Sequence, residues 1–327
     1  MDPVAVSVAW QRLQTTVSST AGAEGETAYN GLSIILPTFN EGGSIQQVIQ
    51  SLLSLTSNRA IEILVVDDDS RDGTADLVRQ LARQDPRIRI IQRVGRSGLA
   101  SAIKEGLIAA IHPIAVVMDS DGQHEPSAVL EAVRCLEAGG FDLVAGSRFL
   151  DHSRIHGLSD RRTDGSTVAN RLARWSLPPN YRHLTDCMSG FLVLRLSPCL
   201  PIIRQVDVSG FKFFYELLAI SRGQLQVAEI PLTFQPRLHG SSKLDSAILW
   251  DFLVSLLHTA TLRLVPRRAI SFGLVGATGV VVQLLTTALL MTGLGLGFQQ
   301  ALPVAVITAA SSTFLVNNAL TFRDRRQ

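Results

Sequence analysis

The sequence predicts an α/β protein, a mostly parallel sheet with helices on both faces, continued by interfacial helices and a C-terminal transmembrane helical hairpin. Three observations carry that expectation. From Leu32 onward, short apolar runs alternate with amphipathic helical segments, the pattern of buried parallel strands joined by crossover helices. Polar and acidic clusters recur directly after these runs, at the edge where such sheets bind ligands. Residues 269–322 contain no Asp, Glu, Lys, Arg or His, and at about 1.5 Å per helical residue they suffice for two bilayer crossings.

Residues 1–30 are rich in Ala, Ser, Thr and Gly without a periodic apolar face and read as a flexible segment. The stretch 3–10 lacks the basic flank and long apolar region of a secretion signal, so the following domain is expected to stay in the cytoplasm. Strands are expected at 32–36, 61–66 and 88–91, with helices at 45–55 and 75–83 between them. Further strands are expected at 115–118 and 143–145. Charged residues make up 18% of the 327, against about 25% in an ordinary soluble domain, while the hydrophobic share of 46% is ordinary. A net charge of +2 argues against a nucleic-acid partner, which requires clustered cations. Cys135, Cys187 and Cys199 are too few and scattered for a disulfide framework or zinc site and are expected to be reduced structural thiols.

The charge-free block divides at Gly293, Gly295 and Gly297, which suit a tight connection better than a helix interior. Spans are therefore expected near 269–292 and 298–321. Arg263, Arg267 and Arg268 precede the first, and Arg323, Arg325 and Arg326 follow the second. Positive charge at both ends predicts an even number of crossings, with the preceding α/β domain and both termini cytoplasmic and a basic tail at 323–327. Gly273, Gly276 and Gly279 permit close helix contact and leave room for a homo-oligomer through the membrane helices. Segment 244–268 carries a broad apolar helical stripe. Pattern alone leaves open whether it lies on the membrane surface or packs on the soluble domain.

Three clusters follow expected strands: Pro37-Thr38-Phe39-Asn40-Glu41, Asp67 through Thr74, and Asp119-Ser120-Asp121-Gly122-Gln123-His124. Asp72 and Thr74 are explained as helix caps. Asp119 and Asp121 are not. Two carboxylates two residues apart repel unless a cation lies between them, and hard divalent cations take such oxygen ligands together with substrate phosphates. Neither a P-loop nor a dinucleotide fingerprint is present. A metal-held diphosphate without those motifs points to a nucleotide-sugar enzyme.

Further motifs complete the pattern: Gly98-Leu99-Ala100-Ser101-Ala102, Gly146-Ser147-Arg148, Asp186-Cys187-Met188-Ser189-Gly190-Phe191, Gly210-Phe211-Lys212, and the stretch from Arg237 to Lys243. In this order they resemble a family 2 glycosyltransferase of the polyprenyl-phosphate sugar synthase type, most similar to the dolichol-phosphate mannosyltransferases, over residues 32–243. The membrane segment resembles a shortened GtrA-like domain. The resemblance implies a GT-A type domain at 31–243 with an acceptor-side helix at about 160–177. It places Pro37, Phe39, Glu41, Asp68 and Asp119 around the nucleotide, with Asp68 reading the base. It assigns Asp119, Asp121 and Gln123 to a divalent metal, Mg2+ or Mn2+, and Arg148, Arg162 and Ser166 to the lipid phosphate. Arg237 and Lys243 match a loop that closes over the donor. Asp119, Asp121 and Arg148 are the implied catalytic residues. Asp69, Ala100, Ser120, Gly122 and Cys187 depart from the usual residues without removing an implied ligand charge. His124 reads as a structural neighbour of the metal site and not a ligand.

The implied reaction moves a sugar from a nucleotide-sugar donor, GDP-mannose or alternatively UDP-glucose, to a polyprenyl or dolichyl phosphate at the bilayer. A phosphate acceptor, with a second pKa near roughly 6, needs no general base. Arg162 and Ser166, four apart, share a helical face. A processive polysaccharide synthase would carry Gln-x-x-Arg-Trp, but Arg171 stands in the glutamine position before Arg174-Trp175. A non-catalytic membrane scaffold or translocation component is the other class of reading, and the intact Asp119 and Asp121 count against it.

Overall fold

The computed structural model describes residues 31–55, 59–95, 98–150, 160–208, 212–233 and 246–318, without the side chains of 160–166 and 246–248. The chain divides into two compact units, Met1–Lys243 and Leu244–Gln327. The first is built on seven strands: β1 Leu32–Thr38, β2 Ile61–Asp67, β3 Ile88–Gln92, β4 Ile114–Val117, β5 Leu143–Ser147, β6 Leu192–Arg195 and β7 Val227–Pro231. They form one sheet in the order β3-β2-β1-β4-β6-β5-β7. Only β6 runs against its neighbours β4 and β5.

Every residue of β1 and β2 is buried, as near-continuous apolar strands covered on both faces must be. The side chains divide by alternation. Ile34, Leu36, Ile63 and Val65 enter one core with Val48, Ile49 and Leu52 of α1 (Ile45–Leu55), Val78 of α2 (Thr74–Gln84) and Ala132, Val133 and Leu136 of α4 (Ser127–Gly139). Ile35 and Val66 face the other way, onto α3 (Leu99–Ala109). There a Cβ on Gly106 would stand 2.5 Å from Ile35 and 3.0 Å from Val66, so glycine is what lets helix and sheet close together.

β6 and β7 lie outside the expected strands. The four residues of β6 run straight into α6 (Leu196–Ile203) with no turn residue to mark the boundary, and β7 carries Glu229 inside an otherwise apolar run. Helix α5 spans Asp160–Ser176, and α7 spans Phe213–Ser221.

The parallel register fixes what meets at one edge. Thr38 pairs with Asp67, and Ile35 with Val117, so β1, β2 and β4 release their following clusters side by side. Val117 and Ala145 both pair with Leu192, the first residue of β6. The loop that ends at Leu192 therefore enters the sheet from this same edge, and Ser147 ends β5 there. From β7, Glu229 accepts the N–H groups of Thr185 (2.7 Å) and Asp186 (2.8 Å) and the Thr185 hydroxyl (2.9 Å), tying that loop to the sheet. Burial and the neighbouring Asp186 charge push the Glu229 carboxyl up to about 7, although the three donors oppose the shift.

In the second unit, α8 (Ser246–Ala260) packs on α9 (Arg267–Gly293), which forms a hairpin with α10 (Phe298–Val316). Trp250 Nε1 donates to Ser271 Oγ at 3.0 Å and Arg267 Nη1 to Ser255 Oγ at 2.9 Å. At about 1.5 Å per residue both long helices match a hydrocarbon core of roughly 30 Å. Only 11% and 17% of their most apolar windows are buried by protein, unlike a hairpin inside a soluble core. The first helix starts two residues earlier than expected, directly after Pro266, and the second ends its regular part at Val316.

Two outcomes test this description. Gly106→Ala forces a methyl group into the closed α3–sheet contact and is expected to cost about 1–3 kcal/mol, read as a lowered unfolding midpoint. Glu229 holds its proton in the folded chain up to about pH 7 but releases it near 4.5 when exposed. Its contribution to stability therefore falls as pH rises through that window and is level above it. Melting curves between pH 5 and 8 should slope downward less in Glu229→Gln than in the unaltered chain.

Candidate active site

The loop after β1 is held by the two neighbouring clusters. Asn40 and Asp69 take left-handed φ values of 58° and 64°, which short polar side chains tolerate better than most, and this accounts for Asp at a position where Asn or Gly is usual. The Asn40 N–H donates to Ser70 Oγ (2.8 Å), while its Oδ1 accepts from the Arg71 N–H (3.0 Å). The Glu41 N–H reaches Thr74 Oγ1 at 3.1 Å. Neither Asp72 nor Thr74 is the N-cap of α2, which is Gly73, with Thr74 the first helical residue; Asp72 instead accepts from the Gly42 N–H at 2.9 Å as well as from the Thr74 N–H and hydroxyl. Burial pushes the Asp72 carboxyl up, but these donors together hold it below the ordinary range.

The β1 and β4 clusters meet through serines. Ser120 Oγ donates to the Pro37 carbonyl (3.0 Å), and Ser44 Oγ lies 2.8 Å from the Ser120 carbonyl and 3.0 Å from Glu41 Oε2. Pro37, Glu41 and the Asp119–Asp121 turn are thus brought together, with the Phe39 ring 37% exposed beside them. Asp68, almost fully buried, is engaged on both oxygens: Oδ1 by Arg93 Nη1 and Oδ2 by the Gly98 N–H, each at 2.8 Å. Arg93 is a residue that sequence reasoning missed. Its signal was available, because it directly follows β3 on the edge that the other clusters share.

Asp119 is the more accessible of the two aspartates. Its Oδ2 lies 3.4 Å from His124 Nε2, and a Cβ on Gly190 would stand 3.0 Å from the same oxygen. His124 is buried against Phe191, with ring centroids 5.6 Å apart. Asp121, also buried, accepts from the Gln123 N–H at 3.0 Å, and the turn between them needs the left-handed φ of 78° at Gly122. Among the described residues no three His, Cys, Asp or Glu side chains are already gathered for a metal. The donor chemistry nonetheless fits a hard cation: Asp119, Asp121 and the Gln123 amide offer oxygen, and such ions commonly complete their shell with water and substrate phosphate.

Arg148 follows β5 and lies within electrostatic reach of Asp119. Its Nε donates to Asp186 Oδ2 at 2.7 Å and its Nη2 to Oδ1 at 3.0 Å, a two-pronged pair with a fully buried carboxylate. Burial works against the charged guanidinium, yet Asp186 and then Asp119 hold its pKa above the ordinary value. Asp186 also receives the Met188 N–H (3.2 Å) and Asn170 Nδ2 (3.4 Å). Asp186 and Asn170 were not singled out from sequence: the first lies within a quoted motif without a role, and the second carries no local signal.

Arg162 and Ser166 occupy α5 eight and four residues before Asn170, positions that share a helical face with it. Arg237 and Lys243 lie outside the described residues. The three cysteines are buried, and burial pushes their thiols up, to about 11 in Cys135, about 12 in Cys199 and further in Cys187, as expected of inert thiols.

With this geometry in place, residues 33–194 match the family model Glycosyl transferase family 2, and residues 271–327 match GtrA/DPMS, transmembrane domain. A dolichol-phosphate mannosyltransferase of Pyrococcus furiosus is 30% identical over 298 residues, covering 90% of this chain and 82% of that protein. One of Mycosarcoma maydis is 30% identical over 265 residues, covering 79% and 85%. Among solved structures, a glucosyl-3-phosphoglycerate synthase of Mycobacterium tuberculosis in complex with UDP superposes with a TM-score of 0.54 at 23% identity, covering 72% of this chain and 81% of that one. At that identity the likeness speaks for the GT-A fold alone. The chain therefore belongs to glycosyltransferase family 2, in the branch that joins the catalytic domain to a GtrA/DPMS transmembrane domain.

Proposed function

We propose that this glycosyltransferase moves a sugar, mannose from GDP-mannose, onto a polyprenyl phosphate of the dolichyl type at the cytoplasmic membrane face. The observation that carries this reading is the fixed Arg148 guanidinium beside Asp119. A cation preset by a buried carboxylate, next to an aspartate pair suited to a metal-bound diphosphate, makes a site for two phosphates and not for a hydroxyl. The relatives named dolichol-phosphate mannosyltransferases support the same acceptor and a mannosyl group as the one transferred.

Pro37, Phe39, Glu41 and Asp68 hold the nucleotide, with Asp68 reading the base from a position that Arg93 and the Gly98 N–H make rigid. A divalent cation, Mg2+ or Mn2+, held by Asp119, Asp121 and Gln123 would neutralise charge on the departing diphosphate. Arg148, with Arg162 and Ser166 on α5, binds and orients the lipid phosphate, and arginine suits this because its planar fork matches phosphate oxygens. The phosphate is largely dianionic above roughly pH 6, so the chain supplies no proton acceptor. Arg237 and Lys243 close over the donor and exclude water. In-line attack inverts the anomeric carbon. The two long apolar helices cross the bilayer with both ends cytoplasmic.

The purified chain, given polyprenyl phosphate, Mg2+ or Mn2+ and a panel of labelled nucleotide sugars, should label the extracted lipid from GDP-mannose with inverted configuration. Labelling from UDP-glucose alone would move the donor assignment, and labelling from no donor would overturn the reading. Asp121→Ala is expected to lower transfer by about a hundredfold or more while the protein still inserts. Topology is read separately: a thiol introduced by Leu294→Cys, at an exposed position in the interhelical loop, should react from outside intact cells.

A further inference from the structure

Asp186 and Glu229 are two buried carboxylates placed one behind the other at the back of a single guanidinium. We propose that Glu229 and Asp186 are positioning residues for Arg148: Glu229 fixes Thr185 and the Asp186 backbone, Asp186 fixes the Nε–Nη2 edge of the guanidinium, and together they set the orientation in which Arg148 meets the acceptor phosphate. This deepens, and rests on, the reading of Arg148 as a ligand of the lipid phosphate.

Three connections converge on that arginine. The direct one is the two-pronged Asp186–Arg148 pair, with the Arg148 N–H also 3.4 Å from Asp186 Oδ2. A second runs from Glu229 through the Thr185 hydroxyl. Thr185 Oγ1 lies 2.9 Å from Glu229 Oε2 and 2.5 Å from Ser147 Oγ, and Ser147 Oγ accepts the Phe149 N–H at 3.1 Å, so the residues on either side of Arg148 are pinned. A third joins α5: Asn170 donates to Asp186 Oδ1 and accepts the Cys187 N–H at 3.1 Å. The helix that carries Arg162 and Ser166 is thereby referenced to the same carboxylate as Arg148.

Stability alone is a poor reason for such an arrangement. A carboxylate buried against a guanidinium, with a second buried acid behind it, carries a desolvation penalty that well-packed apolar side chains would avoid. The design makes sense for orientation. A long arginine side chain has many rotamers, and binding a phosphate through it is costly unless its plane is already set. Asp186 sets that plane, but its own carboxylate is only as fixed as its backbone, and the backbone N–H is held by Glu229 at 2.8 Å.

The test uses the full chain in detergent and separates acceptor from donor. Glu229→Gln and Thr185→Val are expected to lower kcat/KM for polyprenyl phosphate by about tenfold or more, with nucleotide binding in the presence of Mg2+, read by calorimetry, unchanged. Thr185→Ser, which keeps the bridging hydroxyl, should recover most of the acceptor kcat/KM. Equal acceptor kinetics in Glu229→Gln, Thr185→Val and the unaltered chain would overturn the proposal, as would a parallel loss of nucleotide binding in both variants. If Glu229→Gln does not fold, the Thr185 pair decides. An unaltered chain that glycosylates no polyprenyl phosphate sinks the acceptor reading itself, and the positioning role with it; one that does so with indifferent variants sinks the positioning role alone.

Discussion

A fully buried carboxylate keeps its charge only if donors and a cation replace the water it has lost, and Asp186 is the place where this protein meets that constraint. Its two oxygens face the Arg148 fork, the Met188 N–H and the Asn170 amide, while its own N–H is given to Glu229. Removing one partner from such a pair typically costs about 3–5 kcal/mol, because the other is left charged in a dry site. The loop that runs from Thr185 to Gly190 therefore has one strongly preferred course. That course brings Gly190 against Asp119, where even a methyl group would crowd the carboxylate. Arg148 and Asp119 are held in mutual reach by the same short segment.

What was legible beforehand follows from the regularity of parallel sheets. Consecutive β–helix–β units place every strand's carboxyl end on one edge, so the residues after β1, β2 and β4 could be grouped from the alternation of apolar runs alone. The same rule, applied once more, would have added Arg93 after β3. The relay behind Arg148 was not legible, because it joins residues 16 to 44 positions apart across an antiparallel insertion. Nothing in the local pattern announces β6, and Glu229 interrupts β7 as a surface residue would. The burial of Glu229 is decided by where the Thr185 loop docks, which is tertiary information. Local sequence also marked Asp72 as a cap, whereas its second oxygen is spent on Gly42 across the groove.

The hairpin obeys a different accounting. With no water in a hydrocarbon core, a hydroxyl there must bond to its own helix or a neighbour. Thr287, Thr292 and Thr308 each donate to the carbonyl four residues before them, and Thr278 to the one three before. These local bonds satisfy the side chains without an interhelical partner, while Val280, Val281, Leu284, Leu285 and Leu289 are exposed along the first helix. The closer approach of the two helices is met instead by Gly279, whose missing side chain leaves room for the Thr313 hydroxyl. Absence of charge identified the spans; small residues decide where they touch.

Charge also constrains what the soluble site can accept. Arg148 stands between Asp186, which uses two of its donors, and Asp119, which feels its field. Before any substrate arrives, the acids at this edge are more numerous than the cations that the described residues bring to it. Two phosphate-bearing substrates would then meet repulsion, unless positive charge came with them or closed over them. In the reading proposed above, a divalent ion held by Asp119 and Asp121 would supply that positive charge on the donor side. A hydroxyl acceptor would need no such accumulation but would need a base, a role for which four of the described carboxylates are not arranged: Asp186 and Glu229 are buried and committed to their donors, and Asp119 and Asp121 form the pair suited to the metal. The excess of acid and the commitment of these four argue together for an acceptor that arrives already ionised.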